Sequence, residues 1–262
     1  MKIKSKVYQG AILYPFVRLS EGLEIPSYFL VISLVLCLGL FWIVRRGDRS
    51  QLPQGQVLDL SLWLMVSGVV GARAMHVLYE NFAYYKGHPW RVFYFWEGGF
   101  VYYGGMIAAF LAAVVYLRLR VPASLRGRYF DAFAPVLSFV SGFGRIGCFL
   151  AGCCYGESCE YPWAVHQRHP TQLYALFWET AVIFFLLGVE RTPPSQRPAL
   201  LRRPGDLFLL WLALHALGRM IMESFRGDFR GNLIWGFSVS TVLSSLLLLS
   251  SVIFLGIRGR RL

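Results

Sequence analysis

Seven apolar stretches, each long enough to cross the hydrocarbon core of a bilayer, follow one another along this chain with short connections. They run about 26 to 44, 58 to 79, 98 to 117, 130 to 152, 171 to 189, 206 to 224 and 233 to 257. A spanning helix needs about 20 predominantly apolar residues. In lipid every backbone polar group has to find its partner inside the segment, so each stretch is predicted to be helical. With 56% hydrophobic and 15% charged residues in a 262-residue chain, a soluble globule is excluded, because a domain of this size has too little interior for so much apolar surface. No internal repeat and no Pro/Ser-rich linker divides the chain. The expectation is an all-α, polytopic integral membrane protein made of a single transmembrane domain, residues 1–262.

Charge orients the helices. Alternate connections, RRGDR at 45 to 49, RLRVPASLRGR at 118 to 128, the Arg191 to Arg203 loop and the tail RGRR, carry 14 Lys/Arg, whereas the opposite side carries nine. Cytoplasmic loops are the basic ones, so the N-terminus is expected outside and the C-terminus inside. Lys2, Lys4 and Lys6 pull weakly against that orientation, and a short interfacial helix at 3 to 19 would hold them at headgroup level. The net charge of +12 is scattered among loops, which points to anionic lipid and argues against nucleic acid. Met1 to Gly22 has no continuous apolar core followed by a small-residue site, so no cleavable leader is expected.

The remaining three arginines, Arg73, Arg145 and Arg219, fall inside apolar stretches. A guanidinium at membrane depth costs at least about 2.5 kcal/mol, which favours a polar cavity and an anionic partner. Arg73 lies one turn before His76. His215, Arg219 and Glu223 recur at i, i+4, i+8, and Arg145 and Cys148 share a helix face that Gly152 continues. Cationic stripes on three helices point to one anion site. The plain structural readings are an intrahelical Arg219–Glu223 ion pair that locks neighbouring helices, Arg73 reaching to the interface, and His76 and His215 as satisfied core histidines. Arg145 sits in SGFGRIGCFLAGCCYG, residues 141 to 156. Four cysteines, Cys148, Cys153, Cys154 and Cys159, lie within 12 residues at the predicted external end of this stretch. On an oxidising face that density suggests a disulfide, Cys159 with Cys153 or Cys154. A metal site with His166 or His169 lacks the paired CxxC spacing, and no metal is expected.

GRIGCFLAGCCYG resembles the signature of bacterial prolipoprotein diacylglyceryl transferases, usually G-R-x-G-N-F-x-N-x-E-x-x-G. Further matches occur in the same order: Tyr28 after Pro26-Ser27, Arg73 in GARAMHVLYEN, FYFWEGGFVYYGG at 93 to 105, RHPTQLY at 168 to 174 and GRMIMESFR at 218 to 226. The resemblance implies transfer of the diacylglyceryl group of phosphatidylglycerol to the lipobox cysteine in the signal peptide of exported prolipoproteins, without a cofactor. The implied setting is the bacterial cytoplasmic (inner) membrane, with the active site near the external face. It implies Arg145, Arg219 and Tyr103 as catalytic residues. Tyr28, Arg73, Gly98, Gly99, Gly104, Gly144, Gly156, His169, Gln172, His215 and Glu223 are implied around the substrate. The chain departs from the pattern where Tyr103 replaces a histidine before the glycine pair, and where Cys148, Ala151 and Cys153 replace Asn, Asn and Glu. These departures leave room for a related membrane enzyme with another acceptor, or for a non-catalytic lipid-binding relative.

Overall fold

The computed structural model describes residues 14, 16–20, 23–95, 98–228 and 236–260. They are mostly helical. Among them, six helices are long and apolar enough to cross a membrane: α1 Ser27–Arg49, α2 Gln54–Met75 continuing to Glu80, α4 Tyr102–Arg120, α5 Ala123–Leu150, α6 Thr171–Arg191 and α8 Val239–Gly259. A short helix α3, Phe82–Gly87, follows α2. A further long helix, α7 Asp206–Glu223, occupies the expected sixth stretch but carries three charged residues, Asp206, Arg219 and Glu223, in 18. The boundaries shift where local chemistry is stronger than hydropathy: α5 starts seven residues early and keeps Pro135 inside it, whereas α4 starts after Gly98 and Gly99, both at positive φ.

The structure departs from an all-helical chain at its beginning. Phe16–Ser20 (β1) pairs antiparallel with Leu23–Pro26 (β2), and Arg18 bridges to Glu24 at 2.7 Å. The interfacial helix expected over 3 to 19 is therefore a strand over residues 16–20; Lys2, Lys4 and Lys6 lie outside the described residues, as do Trp96, Glu97 and the first residues of the 233 to 257 stretch.

The chain forms two compact units, one of Met1–Trp42 with Phe130–Leu262 and the other of Ile43–Tyr129. In the first, Ala134, Val182, Leu186, Leu207 and Trp211 join α5, α6 and α7 in one apolar cluster. The turn into α7 is built around carboxylates. Gly205 (φ +97°) reverses the chain, Asp131 of α5 accepts from the N–H groups of Gly205 (2.7 Å) and Phe208 (3.0 Å), and Arg258 of α8 pairs with buried Asp206 at 2.7 Å. Negative charge at a helix N-terminus satisfies its orphan N–H groups and its dipole, so these contacts decide where α7 begins.

In the second unit α2 and α4 touch backbone to backbone. A Cβ on Gly71 would strike Ala108 and the Gly104 carbonyl, and one on Gly104 would strike Met75 and the Gly71 carbonyl. Small residues at such a crossing are what lets membrane helices gain close van der Waals contact where lipid removes the hydrophobic drive. Large exposed side chains such as Phe184 and Leu119, 71% and 77% exposed, fit a surface facing hydrocarbon.

Candidate active site

Helices α5, α6 and α7 line a small cleft of about 20 Å³ with Ser141, Arg145, Glu179, His215 and Arg219. Each is placed by helical spacing: Ser141 and Arg145 are four apart, as are His215 and Arg219, so each pair stacks on one face. Glu179 is nearly fully buried in the middle of α6. It accepts the Ser138 hydroxyl of α5 at 2.5 Å and pairs with Nδ1 of His215 at 2.6 Å, while the imidazole stacks on Trp211 at 5.3 Å. Arg219 donates from Nε to Ser240 at 2.7 Å and stands 3.3 Å from Glu223, whose other oxygen accepts the Ser238 hydroxyl at 2.6 Å. The intrahelical ion pair is thus present and ties α7 to the start of α8. Arg219 nevertheless lines the cleft opposite Arg145. Two guanidinium groups, each a directed fork of N–H donors, thus come to one cleft.

The segment after α5 is the second part of the site. Its backbone is fastened by the start of α6: Gln172 Nε2 donates to the Cys153 carbonyl at 2.5 Å and Thr171 Oγ1 to the Cys154 carbonyl at 2.6 Å. Gly156 bridges to both flanks. Its N–H reaches His169 O at 3.0 Å, the next N–H reaches Phe225 O at 2.9 Å, and a Cβ at Gly156 would lie 2.7 Å from both carbonyls. His169 is held by Tyr174 (Nδ1 to Oη, 3.1 Å) and packed at a tilt between the Tyr161 and Phe225 rings. Arg226 makes a two-pronged pair with Asp228 at 2.5 and 2.8 Å; burial opposes its charge, but Asp228, Cys154 and Glu223 together outweigh burial and raise its pKa.

Cys148, Cys153 and Cys154 converge, their sulfurs all within 4.8 Å of one another and the Cys153–Cys154 pair at 3.6 Å. Cys154 reaches this position only with φ at +62°, in the left-handed region. Hydrogen bonding with Cys148 and Cys153, helped by Arg145 and Arg226, holds its thiol below the usual thiol range, while hydrogen bonding with Cys148 and Cys154 pushes Cys153 up. Cys159 is buried elsewhere and all five cysteines are free thiols. The disulfide expected of Cys159 with Cys153 or Cys154 is not what the structure builds; the sulfur that meets Cys153 and Cys154 belongs to Cys148.

In the unit formed by residues 43–129, Arg73 has a task that the sequence did not suggest. All five of its N–H bonds go to carbonyls: Val92 (3.0 Å), Arg91 (2.8 Å), Tyr94 (3.2 Å), Gly99 (3.3 Å) and Gly98. Only 2% exposed, it organises the loop that carries the glycine pair. Gly98 and Gly99 serve the same closure. Both have φ near +80°, and a Cβ on Gly99 would meet Arg73 and His76. His76 pairs with Glu80 at 2.7 Å. Tyr103 stands in the first turn of α4, half-buried and edge-on to Tyr102.

A family model described as prolipoprotein diacylglyceryl transferase matches residues 16–257. The chain belongs to the prolipoprotein diacylglyceryl transferase family. It is similar to the phosphatidylglycerol–prolipoprotein diacylglyceryl transferase of Geobacter sulfurreducens, 34% identical over 220 residues that cover 78% of this chain and 80% of the relative. The enzyme of that name from Bordetella avium is 30% identical, with 89% of each chain covered. The one from Clostridium tetani is 27% identical, with 80% of this chain and 84% of the relative covered. With these bacterial relatives and several apolar helices, the chain is a multi-pass membrane transferase.

Several residues that the family resemblance places around the transferase's substrate also make packing contacts within the protein. Gly104 permits the α2–α4 crossing, and Gly156 and Gln172 fix the cysteine segment. Gly144 leaves room for Ile32 (3.3 Å to a built Cβ), and Gly147 lets Tyr28 of α1 approach α5. Glu223 joins α7 to Ser238. Among the sequence-predicted residues the structure brings Arg145, Arg219 and His215 onto one cleft. Glu179, their neighbour, escaped the sequence reading. Its signal was available: it is the lone carboxylate in the apolar run of 171 to 189, and an acid at that depth calls for partners.

Proposed function

We propose that this transferase moves the diacylglyceryl group of phosphatidylglycerol onto the lipobox cysteine thiol of exported prolipoproteins, forming a thioether and releasing glycerol phosphate, with Arg145 and Arg219 as the groups that hold the phosphate. The observation that carries the proposal is the pair of guanidinium groups from α5 and α7 on one cleft. Phosphatidylglycerol brings a single phosphate anion at headgroup depth, matched by two forks of N–H donors. As the glyceryl C–O bond breaks, negative charge grows on the departing glycerol phosphate, so fixed guanidinium groups bind the transition state more strongly than the bound lipid. Glu179 and His215 supply the scaffold: their pair holds α6 against α7 and keeps the Arg219 face turned to the cleft. Confining lipid and thiol together removes much of the entropic barrier of a difficult displacement at unactivated carbon.

Seven spans, with α7 among them, an external N-terminus and residence in the bacterial inner membrane complete this reading. The loop charge asymmetry, and the burial of both acidic residues of α7, support it. The catalytic cleft then faces the external leaflet, where exported precursors arrive. Expression in cells depleted of their own transferase provides the test, with a model lipoprotein followed by mass. The diacylglyceryl adduct is expected with the native chain and is expected to fall by about 100- to 1,000-fold in Arg145→Ala, the usual effect of losing one preorganised donor. A well-folded native chain that yields no adduct would overturn the proposal.

A further inference from the structure

Three thiols meeting at one point is more than the phosphate site requires. We propose that Cys148, Cys153 and Cys154 bind one thiophilic d10 cation, zinc, as a three-thiolate site, and that the ion's fourth position takes the sulfur of the acceptor cysteine. The catalytic half of this proposal rests on the transferase reading; the metal half does not.

The geometry carries it. Zinc bonds thiolate sulfur at about 2.3 Å, and tetrahedral angles then separate the sulfurs by about 3.8 Å. The Cys153 and Cys154 sulfurs already stand 3.6 Å apart, and all three lie within 4.8 Å of one another. The set therefore stands within about 1 Å of the sulfur spacing that one ion needs. The loop is fastened from behind, by Gln172 and Thr171 on the carbonyls of Cys153 and Cys154, so the sulfurs are free to turn to an ion while the backbone stays still. Three protein ligands leave one position open, the pattern of catalytic rather than structural zinc. Cys153 is exposed, which gives an exogenous ligand a way in. Three thiolates on a divalent ion leave one net negative charge, and Arg145 is three residues before Cys148 on the same helix, a rise of about 4.5 Å. A sulfur on the ion therefore sits about one helical turn from the guanidinium proposed to hold the phosphate.

The chemistry suits the acceptor. A thiol that coordinates zinc is deprotonated outright, so the site replaces a dedicated base. The acceptor R–SH binds in the open position and releases its proton to water. Its sulfur lone pair forms the C–S bond to the glyceryl carbon while the C–O bond breaks. The C–O electron pair stays on the oxygen of the leaving glycerol phosphate, which takes up a proton from water. The neutral thioether is a poor ligand and leaves the ion. No electrons are gained or lost by the metal.

The full-length protein, purified in detergent without chelator, provides the test. Elemental analysis is expected to give about one zinc per chain; Cys148→Ser and Cys154→Ser lose it, while Cys37→Ser, on an unrelated face of α1, keeps it. Titration of chelator-stripped protein with Cd2+ is expected to produce thiolate-to-metal absorption, which increases when a lipobox peptide thiol is added and stays unchanged with the corresponding serine peptide. Removing zinc is expected to slow adduct formation by at least about 100-fold, the usual worth of a base, and Zn2+ to restore it. Native protein that takes up neither Zn2+ nor Cd2+, or that forms adduct at full rate without metal, overturns the proposal. Native protein that binds zinc stoichiometrically yet gives no adduct overturns the transferase reading and leaves the metal site standing.

Discussion

Glu179→Ala tests whether the buried knot under the cleft holds three helices together. The substitution removes the acceptor of two groups at once, the fully buried Ser138 hydroxyl and Nδ1 of His215. A buried donor left without its partner costs about 1–3 kcal/mol. In membrane bundles side-chain hydrogen bonds average lower, about 0.6 kcal/mol, because the unfolded helices in lipid also find partners. Two orphaned groups therefore bracket the loss between about 1 and about 6 kcal/mol. Burial of Glu179 and Ser138, with His215 only partly exposed, puts the expectation at about 3 kcal/mol, a drop of about 6–12 °C in Tm for a chain of this size. Intrinsic tryptophan fluorescence of detergent-solubilised protein during heating reads this directly, since Trp178 and Trp211 flank the site. Glu179→Gln retains an acceptor oxygen and loses less than half as much. A drop smaller than about 2 °C in Glu179→Ala would refute the reasoning, because it would mean that Ser138 and His215 find other partners at no cost.

Other residues make independent tests. Gly104→Val drives a branched side chain into the Gly71 carbonyl and Met75; overpacking of this kind costs about 1–3 kcal/mol or more, so thermal stability falls or folded protein is lost. Gly188→Ala, with open space around its Cβ inside α6, gains about 0.5–1 kcal/mol instead. Arg73→Lys replaces five donors in a rigid fork with three on a flexible stem. Hydrogen exchange in residues 91–101 is then expected to accelerate by at least about tenfold, the loss of two bonds at about 1 kcal/mol each. Tyr103→Phe separates two roles by rate: a base is worth about 100-fold or more, and the expectation, with acceptor activation placed on the three cysteines, is a loss below about tenfold in single-turnover adduct formation.

Hydropathy is a property of each residue and its near neighbours, and so the rough position of the long helices could be read from the chain alone. The same holds for Arg145 and Arg219: an arginine in an apolar run is conspicuous wherever the run ends up. The ordered motifs GRIGCFLAGCCYG, RHPTQLY and GRMIMESFR carried the family for the same reason. The identity of each charge's partner was out of reach. Arg73 and Arg145 look alike in sequence, yet Arg73 is enclosed by carbonyls 18 to 26 residues further on, whereas Arg145 lines a cleft. Spacing could pair Cys159 with its neighbours as readily as Cys148; the left-handed turn at Cys154 and the grip of Thr171 and Gln172 chose Cys148. A helix face tells which residues leave a helix together, not what they meet. What they meet depends on how α5, α6 and α7 cross, which is a sum over many contacts between residues far apart in the chain, and only the folded molecule decides it.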